Sequence, residues 1–213
     1  MIRRLPLIAT IIVLLAVATM IGLGIWQLQR RGEKEAAIAI LRANPDKPSV
    51  AFPRLPSVDP ELMFRRSSVH CLRVTGWRRE AGRATDGSMG FRAIAECSTG
   101  AEGPGALINI GVAPRADTTP QWTGGQVEGW ISEEPDHRSL ISRTFGKAPP
   151  LRPMLIARTP APGLKAATPP HIEDIPNNHL AYAVQWFLFA AVALVIYIIA
   201  VRKRLSPPPP PAG

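Results

Sequence analysis

Two long apolar runs stand near the ends of the chain, and neither contains Asp, Glu, Lys or Arg. They are Leu5 to Leu28 (LPLIATIIVLLAVATMIGLGIWQL) and Leu180 to Val201 (LAYAVQWFLFAAVALVIYIIAV). Each exceeds the roughly 18 residues at which an apolar stretch reads as a bilayer-spanning helix. A helix satisfies its own backbone polar groups in hydrocarbon, so transmembrane helices are expected at 5–28 and 180–201. Between them, residues 29–179 carry a different rhythm. Gln29 to Asn44 has helix-forming composition with Gly32 as a weak point. Pro45, Pro48, Pro53, Pro56 and Pro60 then punctuate a linker. Beyond it, five runs rich in β-branched and aromatic residues and bounded by turn formers predict strands: 69–77, 90–97, 105–112, 126–132 and 151–158. Pro153 predicts that the last is an edge strand or bulged. The pattern therefore describes an α+β membrane protein. Two transmembrane helices flank a mostly β exported domain, a small antiparallel barrel or sandwich, with short tails at 1–4 and 202–213.

Charge orients this arrangement. The formal net charge is +9, yet Arg3, Arg4, Arg202, Lys203 and Arg204 sit in the two tails, leaving twenty basic against sixteen acidic residues between the spans. Positive residues stay cytoplasmic, so the middle domain is expected outside; Arg30, Arg31 and Lys34 oppose this only weakly, because long domains translocate regardless of charge. With no concentrated basic patch, nucleic acid is not an expected partner. The rival reading of the first run is a cleaved signal peptide, with AVA at 16–18 as its site; the ten further apolar residues favour a retained span. No Arg/Ser-rich presequence precedes Leu5, so the expected location is a bacterial inner membrane, multi-pass, with a periplasmic domain. In that oxidising compartment Cys71 and Cys97, each in a strand-like run and without a C-x-x-C, read as a cross-strand disulfide rather than a metal or redox pair. The proline tail SPPPPPAG reads as a solvated cytoplasmic end rather than a ligand for a proline-binding module.

Chemistry is sparse in the middle. The four histidines, His70, His137, His171 and His179, fall in no zinc or protease spacing, and no nucleophile elbow or phosphate loop occurs. An exported hydrolase remains a third-ranked reading, since triads can be dispersed in sequence. The turn EEPDH at 133–137 offers carboxylates and an imidazole, but acidic turns are mostly solvated faces. His70 and Cys71 are adjacent on a strand and face opposite ways. The membrane boundary is richer. His179, Tyr182 and Trp186 stand at i, i+3 and i+7 on one helical face; Gly22, Trp26 and Arg30 stand at i, i+4 and i+8 on another. Arg30 and His179 are expected at similar depth, and Gly22 and Gly24 permit close approach of a backbone or a flat ligand. An imidazole for iron, a guanidinium for propionates and apolar walls are the components of a haem site. An interfacial aromatic belt is the simpler alternative.

Two stretches carry a resemblance. GLGIWQLQRRGEK (22–34) resembles an N-terminal G-x-W-Q-x-x-R signature, and NNHLAYAVQWF (177–187) resembles a C-terminal N-N-H-x-x-Y-x-x-x-W-F signature, both of the surfeit locus protein 1 family of cytochrome c oxidase assembly factors. VTGW (74–77) and GALINIGVAP (105–114) are similar to its internal strands, although Ile110, Val112 and Ala113 depart from the V-N-R-G-W-V-P pattern. The resemblance implies a non-enzymatic role in building a haem-copper oxidase. It further implies binding of haem a and help with its insertion into the catalytic subunit. The histidine of the second signature, here His179, is then the axial ligand to the metal, and Trp26 and Arg30 are the matching residues of the first signature. Implied partners are the oxidase catalytic subunit, the haem a synthesis machinery and membrane lipid. The alternative is a membrane-anchored scaffold that stabilises an oxidase intermediate without binding haem.

Overall fold

The computed structural model describes residues 6–101, 103–146, 148–172 and 175–205. The expected N-terminal tail and the proline-rich end lie outside them. Among the described residues two compact units result: one of residues 6–36 and 176–205, the other of residues 37–175.

The first unit is a pair of helices, α1 (Leu7–Ala43) and α3 (His179–Leu205), both long and apolar enough to cross a membrane. Helix α1 does not break at Gly32. It continues with the expected span and the polar segment as one element, and ion pairs on either side of the glycine support it: Arg30 to Glu33 at 2.5 Å and Arg31 to Glu35 at 2.7 Å. The helices run antiparallel, since Gln27 meets His179 while Thr10 shares a hydrogen bond with Tyr197. Gly24 is buried at the crossing, where an added Cβ would stand 2.6 Å from the Phe187 ring. Ala183 and Ala190 of α3 are buried too, so small residues permit the close approach.

The second unit is built on a seven-stranded sheet. Its strands are β1 (Val50–Ala51), β2 (Arg66–Cys71), β3 (Arg73–Arg83), β4 (Met89–Ser98), β5 (Ala106–Ala113), β6 (Gly125–Glu133) and β7 (Pro153–Ala157), paired in the order β1-β2-β6-β7-β5-β4-β3. A short helix α2 (Leu140–Thr144) interrupts the β6–β7 connection. The hydrogen-bonded ladder is open and mixed rather than purely antiparallel, because β1–β2 and β5–β7 pair in parallel. The run expected as one strand at 69–77 belongs to two. β2 passes into β3 through Leu72 alone, so one continuous stretch serves both sides of the sheet. There Leu72 N–H donates to Ser98 O, and Cys71 is disulfide-bonded to Cys97 of β4 with Cα atoms 5.3 Å apart. The expectation for Pro153 is overturned: β7 lies at the centre of the sheet, between β5 and β6. Proline is tolerated there because it is the first residue of the strand, where its missing N–H interrupts no ladder.

Both faces of the sheet are covered, which is why β5 and β7 are buried along their whole length. Cys71, Ala95, Ile108 and Leu155 lie in one apolar cluster, with Trp77 and Trp122 packed against it; Ile94, Leu107, Met154 and Ile156 lie in the other. Beyond Asn109 the β5 edge turns from β7 to the segment that follows it: Ala161 N–H donates to Ile110 O, and Val112 and Lys165 exchange backbone bonds. The departures at Ile110 and Val112 thus have a structural meaning. Ile110 packs in the first cluster and Val112 in the second, both as core aliphatics.

Candidate functional site

The helix pair concentrates its polar contacts at one end. His179 opens α3, and its Nδ1 lies 2.7 Å from Gln27 Oε1 of α1. An amide oxygen only accepts, so the ring nitrogen donates and Nδ1 carries the hydrogen. A neutral imidazole in that tautomer has its lone pair on Nε2, and the bond also fixes the orientation of the ring.

The remaining residues singled out by spacing are distributed around this pair. Gly22, Trp26 and Arg30 do share one stripe of α1, but that stripe is exposed. The stripe turned toward α3 is the neighbouring one, carrying Gly24 and Gln27. Arg30 pairs with Glu33 of its own helix and not with His179, and its side chain is 53% exposed. Tyr182 is likewise exposed, whereas Trp186 is half-buried and meets the Phe189 ring edge-on at 6.1 Å. Gln27 was missed by spacing arguments. Its signal was a carboxamide inside an otherwise apolar run, a group that in lipid needs a hydrogen-bonding partner.

In the β unit His70 and the residues of the acidic turn are engaged structurally. His70 meets Gln126 at 3.3 Å, on the opposite side of β2 from the disulfide. In the acidic turn, Glu133 accepts from Val58 N–H, Glu134 accepts from Arg78 and Arg152 N–H, and His137 reaches Glu80 at 3.1 Å. Asp136 accepts from Arg138 and Arg143; hydrogen bonds from Arg138 above all hold its carboxyl well below the usual carboxylate range. Hydrogen bonding to Glu96, with Glu134 adding to it, raises Arg78 above the ordinary guanidinium value. Among the described residues no group of three His, Cys, Asp or Glu side chains is arranged to hold a metal ion.

Fold and site together define a class: a β domain joined to two apolar helices that meet at an imidazole–carboxamide pair. A model of the SURF1 family matches residues 14–191, most of the chain. The protein belongs to that family. It is similar to a SURF1-like protein of Monosiga brevicollis, 26% identical over 230 residues that cover 89% of this chain and 88% of the relative.

Proposed function

We propose that this protein is a membrane-anchored assembly factor for haem-copper cytochrome c oxidase that holds haem a at the outer membrane surface and assists its delivery to the catalytic subunit. Membership of the SURF1 family is consistent with an oxidase assembly factor. The observation that carries the haem reading is the 2.7 Å bond from His179 Nδ1–H to Gln27 Oε1, which leaves Nε2 as the free lone pair. The donor set fits the group: haem a would supply an iron, and the neutral imidazole of His179 is the residue that would hold it. Gln27 positions the ring. Arg30 is available to a propionate, because an exposed i,i+3 pair such as Arg30–Glu33 contributes no more than about 0.5 kcal/mol and exchanges readily. Exposed Trp26 and Tyr182, and half-buried Trp186, offer aromatic surface to a macrocycle and to lipid. In this reading the helices span a bacterial inner membrane with the β domain in the periplasm, and the haem a synthesis machinery is the donor. A single imidazole suits a carrier, which must release what it binds.

The test is co-expression with haem a synthesis enzymes, purification, and haem quantitation by pyridine haemochrome. His179→Ala should lose haem. Gln27→Ala should weaken haem affinity by about tenfold or more while retaining some, as orienting partners of metal-binding histidines do. Unchanged haem content and spectrum in His179→Ala would remove the ligand assignment. A wild-type protein that co-purifies with oxidase subunits but carries no haem would favour the scaffold reading.

A further inference from the structure

We infer that the β unit contains a separate site for a small oxyanion, a phosphate or carboxylate group, on the sheet face away from the disulfide. A cavity of about 250 Å³ lies there, lined by Arg92 of β4, Asn109 of β5, Ser132 of β6 and His171, with Phe64 and Ile156 among its apolar walls. Asn109 is 2% exposed. Its Oδ1 accepts from Gly111 N–H at 3.2 Å, which leaves the Nδ2 donors unused by any protein acceptor among the described residues. The rest of the residue is buried, so these donors open only onto the cavity, where a ligand that accepts hydrogen bonds can take the place of water.

Two further groups, both part-buried, line the same cavity. Arg92 has no hydrogen-bonded or ion-paired partner among the described residues, and neither has His171. Glu80, directly across from Arg92 on β3, is instead in contact with His137 at 3.1 Å. The Arg92 side chain lies across Gly82, where an added Cβ would stand 2.6 Å from its Nε. A glycine at that position therefore gives the guanidinium its resting place. A guanidinium, a carboxamide NH2 and an imidazole together offer a set of donors that suits an anion, and the guanidinium fork matches phosphate and carboxylate oxygens. Size narrows the class. Drug-sized ligand sites run from roughly 300 to 1,000 Å³, so this cavity suits a small anion or the headgroup of a larger molecule, not a macrocycle. None of these residues belongs to the helix-pair site, so the two readings stand or fall separately.

The experiment is titration calorimetry on the full chain in a neutral detergent at constant ionic strength, with inorganic phosphate, acetate and dodecyl phosphate as probes. Saturable binding with a dissociation constant of about 1 mM or tighter is expected for at least one probe. Binding of dodecyl phosphate alone identifies a lipid-like headgroup as the source; binding of free phosphate or acetate identifies a soluble anion. Asn109→Asp, which keeps the acceptor to Gly111 and replaces the donors by charge, should weaken binding at least about tenfold. Arg92→Gln should do the same, Arg92→Lys should recover part of the loss, and exposed Arg115→Gln should bind like wild type. If Arg92→Gln does not fold, Gly82→Ala, which displaces the same side chain, replaces it. No saturable binding of any probe, or unchanged affinity in Asn109→Asp and Arg92→Gln, overturns the inference.

Discussion

Removing the disulfide tests how the β unit is held. Cys71 and Cys97 lie on β2 and β4, which the ladder separates by β6, β7 and β5. Both sulfurs are buried in the same apolar cluster. The bond closes a loop with a sequence separation of 26, for which the chain-entropy relation gives about 3.5 kcal/mol of restriction on the unfolded chain. Cys71→Ala/Cys97→Ala should lose that much. With a urea slope of roughly 2 kcal/mol/M, the unfolding midpoint should fall by about 1.7 M. The assay is urea unfolding of the full chain in neutral detergent, followed by tryptophan fluorescence, because Trp77 and Trp122 pack against this cluster. Wild type in reductant should approach the variant. A midpoint shift under about 0.5 M with an unchanged slope would refute the reasoning: the unfolded chain would then be no freer without the bond.

Other expectations follow from the same structure. Gly24→Leu drives a side chain into the Phe187 ring and should loosen the helix pair by about 1–3 kcal/mol; Phe187→Ala in the same chain should restore part of it, read as cross-linking by a short bis-maleimide, long enough to replace the Tyr197 ring, between cysteines placed at Thr10 and Tyr197. Unimpaired cross-linking in Gly24→Leu would contradict the crossing. Acid should weaken the β unit. Hydrogen bonds from Lys165 and Ser88 hold the Asp86 carboxyl far below its usual range, as those from Arg138 hold that of Asp136. A carboxyl depressed in the folded state binds fewer protons there than when unfolded. Its contribution is complete above the ordinary carboxylate range and is lost as pH falls through the folded values, below about pH 4. Urea midpoints from pH 6 downward should therefore drop on acidification, and less so in Asp86→Asn/Asp136→Asn; identical profiles would rule these two groups out as the cause.

Local pattern determined much of this protein. The two apolar runs were long enough to be helices in any context, and the β runs between them were legible because β-branched residues and turn formers act over a few positions. The two end signatures were sufficient to place the chain in its family. Pairing was another matter. Nothing local distinguishes the central position of β7 from an edge, because Pro153 is compatible with either and only its place at the strand start decides it. The bend at Leu72 likewise depends on which strands lie on each side of it. At the helix pair, the stripe Gly22–Trp26–Arg30 and the stripe Gly24–Gln27 are both regular, and periodicity cannot choose between them. Contact with α3 chose the second, because Gly24 leaves room for Phe187 and Gln27 meets His179. The Asn109 donors were invisible for the same reason: which polar groups come to line a cavity is settled only when distant strands are brought side by side.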